Sequence, residues 1–141
     1  MVRIRTKYEG SLRVRAEHEP SGTTLSTDAP VDNQGRGESF SPTDLVATAL
    51  ASCIATTIAI VAERHGFDVA GMTVDVTKEM VEQPRRIGRL PVTVRIPTRL
   101  DEGQRSRVER AAHHCPVHRS LHEDVDAPID FEWSTPSEGE A

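Results

Sequence analysis

Ser41-Pro42-Thr43-Asp44-Leu45-Val46-Ala47-Thr48-Ala49-Leu50-Ala51-Ser52-Cys53-Ile54-Ala55-Thr56-Thr57-Ile58-Ala59-Ile60-Val61-Ala62-Glu63-Arg64-His65-Gly66 is the stretch on which the fold turns. Ser41 is a good N-cap, Pro42 sits where a missing N–H costs nothing, and Asp44 completes a Ser-x-x-Asp capping pattern. Gly66 supplies the stop. Between Leu45 and Ala62 there is no charged residue, about the shortest length that spans a bilayer. The segment is rich in Ala, Thr, Ser and Cys and poor in Leu and Phe, so it reads as a helix buried inside a protein rather than a membrane anchor. A helix of about six turns needs cover on every side, and one small sheet covers one face. A symmetric partner is the simplest source of the rest, which predicts a homodimer.

Working outward, Val2 to Tyr8 and Leu12 to His18 alternate, with Val2, Ile4 and Thr6, then Leu12, Val14 and Ala16, on one face. With Glu9-Gly10-Ser11 between them they predict a β-hairpin. Thr23 to Thr27 adds a short strand, and Asp28 to Phe40, rich in Gly, Pro and acidic residues, has no period and reads as a loop. Beyond the helix, Val69 to Val81 and Ile87 to Ile96 alternate around a turn at Gln83-Pro84-Arg85-Arg86. A second helix starts near Asp101 and carries Val108, Ala111 and Ala112. Pro116 interrupts it and allows a short third helix, and Ile129, Phe131 and Trp133 form a last strand. The order βββ-α-ββ-α-α-β is an α+β arrangement, a single domain over residues 1–134 with a polar tail at 135–141.

The chain has 141 residues, 17 basic and 22 acidic, with a formal net charge of -5. Arginine far outnumbers lysine, yet no stretch gathers basic residues without acids nearby, so the footprint of a nucleic-acid binder is missing. The first residues, Met1-Val2-Arg3-Ile4-Arg5, alternate instead of forming a charged start and an apolar run, which points to a reducing cytoplasm rather than secretion. No cofactor and no membrane partner are expected.

Two cysteines carry the chemical interest. Cys115 precedes Pro116 at a helix start, where free N–H groups and the helix dipole stabilise a thiolate, and Arg119, His113, His114 and His118 lie nearby. On local grounds it is the more acidic thiol. Cys53, in mid-helix among Ala49, Leu50, Thr56 and Thr57, reads locally as a small buried hydrophobe. His114, Cys115, His118 and His122 loosely resemble a zinc site, but Pro116 breaks the alignment and solvated histidines are the plainer reading. Asp44, nine residues before Cys53, is explained by its capping role.

Ser41-Pro42-Thr43-Asp44-Leu45 leading to Ala51-Ser52-Cys53 resembles the central-helix motif of the OsmC/Ohr family, the osmotically induced and organic hydroperoxide resistance proteins. His114-Cys115-Pro116-Val117-His118-Arg119-Ser120-Leu121 resembles that family's Cys-Pro-Val segment, and the strand order agrees. The resemblance implies an intertwined homodimer with active sites at the subunit interface and a thiol-dependent peroxidase acting on organic hydroperoxides. It makes Cys53 the attacking thiol and Cys115 the resolving one, with an external dithiol as reductant. It also implies an activating Arg, for which Arg13 and Arg15 in Tyr8-Glu9-Gly10-Ser11-Leu12-Arg13-Val14-Arg15 flank the matching position, and a Glu ten residues before the cysteine. That position is Thr43 here, with Asp44 beside it. The departure motivates an alternative: a non-catalytic dimer that holds a small apolar ligand in its interface pocket.

Overall fold

The computed structural model describes residues 1–134. The polar tail expected over residues 135–141 lies outside them. The chain divides into two compact units, Met1–Val46 and the residues from Ala47 onward.

In the first unit β1 (Ile4–Gly10), β2 (Arg13–His18) and β3 (Thr24–Asp28) form an antiparallel meander in that order. The hairpin predicted from alternation is present, with its tip at Ser11-Leu12. Both residues have positive φ, 55° and 61°, the hairpin geometry that matches strand twist. The apolar residues of this sheet gain little cover: Ile4, Tyr8, Leu12 and Leu25 are exposed, and Val14 and Ala16 are half-buried.

The loop after β3 has a short 3-10 turn at Val31–Asn33 and is tied back to the sheet. Asp28 is buried, and its Oδ2 accepts the amide N–H of Glu38 at 3.0 Å. Arg13 donates to Glu38 Oε2 at 2.8 Å and stands 3.8 Å from Asp28 Oδ2. The Gly37 amide returns to the Ala29 carbonyl at 3.2 Å, and the Ser39 hydroxyl donates to the Ser26 carbonyl at 2.8 Å. Gly35 packs so tightly here that a Cβ would lie 1.7 Å from the Ala29 oxygen.

Helix α1 (Pro42–His65) starts and stops where its sequence signals lie. The Ser41 amide donates to Asp44 Oδ2 at 2.9 Å and the Asp44 amide to Ser41 Oγ at 3.1 Å, a reciprocal cap. Gly66 closes it at φ 71°. It is the described helix long and apolar enough to cross a membrane by length and composition. Its buried positions form one stripe, Ala47, Leu50, Ile54, Ile58 and Ala62, at spacings of three and four. Thr56, Ala59 and Ile60 lie outside the stripe and are exposed, so this chain alone covers one side of the helix rather than all of it.

The second unit continues with a sheet ordered β4 (Thr73–Val76), β7 (Val92–Ile96), β8 (Ile129–Trp133), antiparallel then parallel, and a two-stranded ribbon of β5 (Glu79–Val81) and β6 (Arg86–Arg89). The α+β order therefore stands, with each of the two strands expected after α1 split in two. Thr77 and Lys78 leave the ladder, and the Thr77 amide meets the Pro91 carbonyl at 3.1 Å. Pro91 itself has no N–H with which to carry β6 into β7. The parallel β7–β8 pair is joined through α2 (Glu102–His113), begun by an Asp101/Gln104 capping box, and α3 (Pro116–Ser120). Leu90, Val92, Val94, Ile96 and Leu100, with Val108, Ala111 and Ala112 of α2, complete the buried set.

Gly35→Ala is expected to lower unfolding free energy by about 1–3 kcal/mol, the usual cost of overpacking. The check is urea denaturation, and an unchanged midpoint would show that the Ala29 carbonyl moves aside freely.

Candidate functional site

Two features of the sequence bring the cysteines together. Cys53 lies at the border of the buried stripe of α1 and is half-buried, while Cys115 is wholly buried. Pro116 forces the break that places Cys115. The residue before a proline is disfavoured in helical geometry, and Cys115 is accordingly extended, at φ -58° and ψ 128°. The chain then restarts as α3 with the proline in its first turn, leaving the next amides without intrahelical acceptors.

Those amides face the sulfurs: hydrogen bonding from Val117 acts on both Cys53 and Cys115, and from His118 on Cys115. The two thiols also act on each other. The Thr57 hydroxyl, one turn from Cys53, is 3.9 Å from its Sγ and 2.7 Å from its carbonyl oxygen. The carbonyl contact is the shorter of the two, so Thr57 is the weakest of the sulfur's contacts.

Burial alone would raise the Cys53 thiol, but the hydrogen bonds from Cys115, Val117 and Thr57 outweigh it, and Cys53 ends below the ordinary thiol value. Cys115 goes the other way. Burial raises it, giving up its proton would cost the hydrogen bond to Cys53, and the His118 and Val117 amides only partly compensate. This corrects the local reading of Cys115 as the more acidic thiol. The free amides at the helix start are real, but they serve both sulfurs, and Cys115 has no solvent to share its charge.

Two of the other expected site residues, Arg13 and Asp44, have local partners. Arg13 is held by Glu38 and Asp28, and Asp44 is engaged in the helix cap with Ser41. Arg15 is exposed on β2, opposite Lys7 in register. The histidines of the loose zinc pattern are also engaged: His114 Nδ1 donates to the Arg110 carbonyl at 2.6 Å, and His118 Nε2 to the Ala127 carbonyl at 3.0 Å. Among the described residues no three His, Cys, Asp or Glu side chains cluster as metal ligands would. Sequence reasoning missed the Val117 amide, whose signal was its place just after Pro116. It also missed Asp28, a buried carboxylate with nothing in its neighbours to mark it.

Residues 35–130 match the family model described as OsmC-like protein. Among solved structures, a protein of Psychrobacter arcticus provisionally named an osmotic stress induced and detoxification response protein is 42% identical, with a TM-score of 0.89 over 94% of this chain and 96% of that one. The organic hydroperoxide resistance protein OsmC of Legionella pneumophila matches at TM-score 0.77 and 16% identity, over 94% of this chain and 96% of its own. An organic hydroperoxide resistance protein of Elizabethkingia anophelis matches at 0.76 and 12%, with the same coverage. At these lower identities the likeness is one of fold. No curated protein matches the chain.

A thiol below its ordinary value carries more thiolate at any given pH, and thiolate is the form that alkylates. Iodoacetamide at pH 7 is therefore expected to label Cys53 well before Cys115, as read by peptide mass spectrometry. Cys115→Ala removes one donor and should move the Cys53 labelling profile to higher pH. Labelling of Cys115 first would overturn the assignment of the acidic thiol.

Proposed function

The chain belongs to the OsmC-like protein family, and on that premise we propose that it is a thiol peroxidase of organic hydroperoxides, with Cys53 attacking and Cys115 resolving. The observation that carries this reading is the pairing itself: a half-exposed thiol lowered by hydrogen bonding, in contact with a buried, protonated second thiol.

The chemistry follows from that arrangement. The Cys53 thiolate attacks the outer oxygen of the hydroperoxide, the O–O bond breaks, and the alkoxide leaves and takes a proton as alcohol. Cys53 is oxidised to a sulfenic acid. Cys115 sulfur then attacks the Cys53 sulfur, an S–S bond forms, and the hydroxyl leaves as water with the Cys115 proton. An external dithiol reduces the disulfide by exchange and is itself oxidised to a disulfide. In this reading the buried Cys115 keeps its proton until the sulfenic acid forms, which limits its own side reactions. A reducing cytoplasm, where such a dithiol is maintained, is the compartment that suits the cycle.

We assign a second copy of the chain as the cover for the exposed side of α1. Ile60, 49% exposed, stands on that side in a helix that is uncharged through its middle. A protein partner of the same sequence satisfies such a face as lipid would, without requiring a membrane.

One equivalent of cumene hydroperoxide is expected to convert both thiols to an intramolecular disulfide, seen in the intact mass as loss of two hydrogens. Cys53→Ser should reduce peroxide consumption to background, and Cys115→Ser should leave a sulfenic acid that a dimedone probe traps. Thiols that survive excess hydroperoxide would leave the ligand-binding alternative in its place.

Sedimentation of the wild-type chain is expected to give a dimer, and Ile60→Glu a monomer with helical circular dichroism retained. A wild-type monomer at micromolar concentration would rule the dimer out.

A further inference from the structure

Beside the cysteine pair, α1 and α2 border a groove of about 320 Å³. Apart from Thr57, its polar wall is basic: His65 of α1, Arg107 and Arg110 of α2, and His114 at the end of α2. Val61 and Ala111 give it an apolar side, and no carboxylate lines it. Arg107 and Arg110 are three residues apart, so they stand on one face of α2.

The charges in this groove are not neutralised in the way that others in the chain are. Arg13, Arg89 and Arg95 each meet a carboxylate. Among the described residues Arg107 donates instead to His65 Nε2 at 3.0 Å, and neither Arg107 nor Arg110 has a carboxylate partner. A cation near a helix C-terminus has a dipole reason to be there. That reason covers Arg110 and His65, each in the last turn of its helix, but not Arg107. Both arginines line the groove with no carboxylate beside them, and the guanidinium fork fits the oxygens of a carboxylate or a phosphate monoester.

We propose that this groove binds the anionic head group, carboxylate or phosphate monoester, of a ligand whose remaining chain is apolar. Arg107 and Arg110 hold the head group, and Val61 and Ala111 flank the start of the chain. Thr57 lines the same groove and has its hydroxyl 3.9 Å from Cys53 Sγ. A ligand held this way extends along α1 toward the cysteine pair, with His65 about 18 Å from Cys53 at 1.5 Å per residue. Its meaning for turnover rests on the peroxidase reading, but the binding does not.

The test uses the full-length chain and unreactive probes, so it is blind to whether Cys53 turns over. Decanoate, decyl phosphate and decanol are titrated calorimetrically below their micelle concentrations. At least one anion is expected to bind at least about tenfold more tightly than decanol, with the advantage shrinking as salt rises. The tighter of the two identifies the head group. The doubly substituted Arg107→Gln, Arg110→Gln chain should bind anion and alcohol alike, while Arg107→Lys, Arg110→Lys should keep part of the difference. Anions no tighter than decanol in the wild type, or an advantage that survives the Gln pair in a folded chain, would overturn the proposal. If the Gln pair fails to fold, the wild-type comparison across salt decides alone.

Discussion

A helix of 24 residues with no charge through its middle must find apolar cover, and here five side chains find it within the chain. Ala47, Leu50, Ile54, Ile58 and Ala62 are buried, while the opposite side of α1 meets solvent. That one-sidedness decides what the neighbouring positions do. Cys53 and Thr57 fall on the border of the stripe, half in and half out, where a side chain touches packed protein and remains accessible from outside. A cysteine one position later would have been buried with Ile54, and one earlier would have been exposed with Ser52.

The second cysteine owes its position to a different constraint. Pro116 denies α2 its continuation and sets Cys115 extended, so that two main-chain donors turn toward the sulfurs. The two thiols then differ by environment rather than by chemistry. Cys53 receives hydrogen bonds from three sides, and Cys115 loses solvent and gives its own proton to the pair. Neither cysteine would be distinctive with the other removed.

Much of this was legible in the sequence. The α1 boundaries followed from Ser41, Pro42, Asp44 and Gly66, because capping is local chemistry that four residues can fix. The hairpin and the last strand followed from strict alternation. The break between β6 and β7 was less visible because Pro91 lies in a run that still alternates in hydrophobicity. The relative acidity of the cysteines was misjudged from local residues, since it depends on contacts across 62 positions of chain. Asp28 was invisible for a similar reason: its burial and its bond to the Glu38 amide come from how a periodless loop folds back. Alternation and caps are written residue by residue, whereas a buried polar contact is written only in the finished packing.

The parallel pairing of β7 and β8 carries a consequence for how the protein comes into being. Val92 pairs with Ile129, so the strand that locks the sheet is made after everything between them, the crossover that carries Cys115. Non-local pairings of this kind form late. Until the crossover is in place, α1 holds Cys53 without Cys115 or Val117 beside it. Its acidity is thus a property of the closed fold rather than of α1 alone.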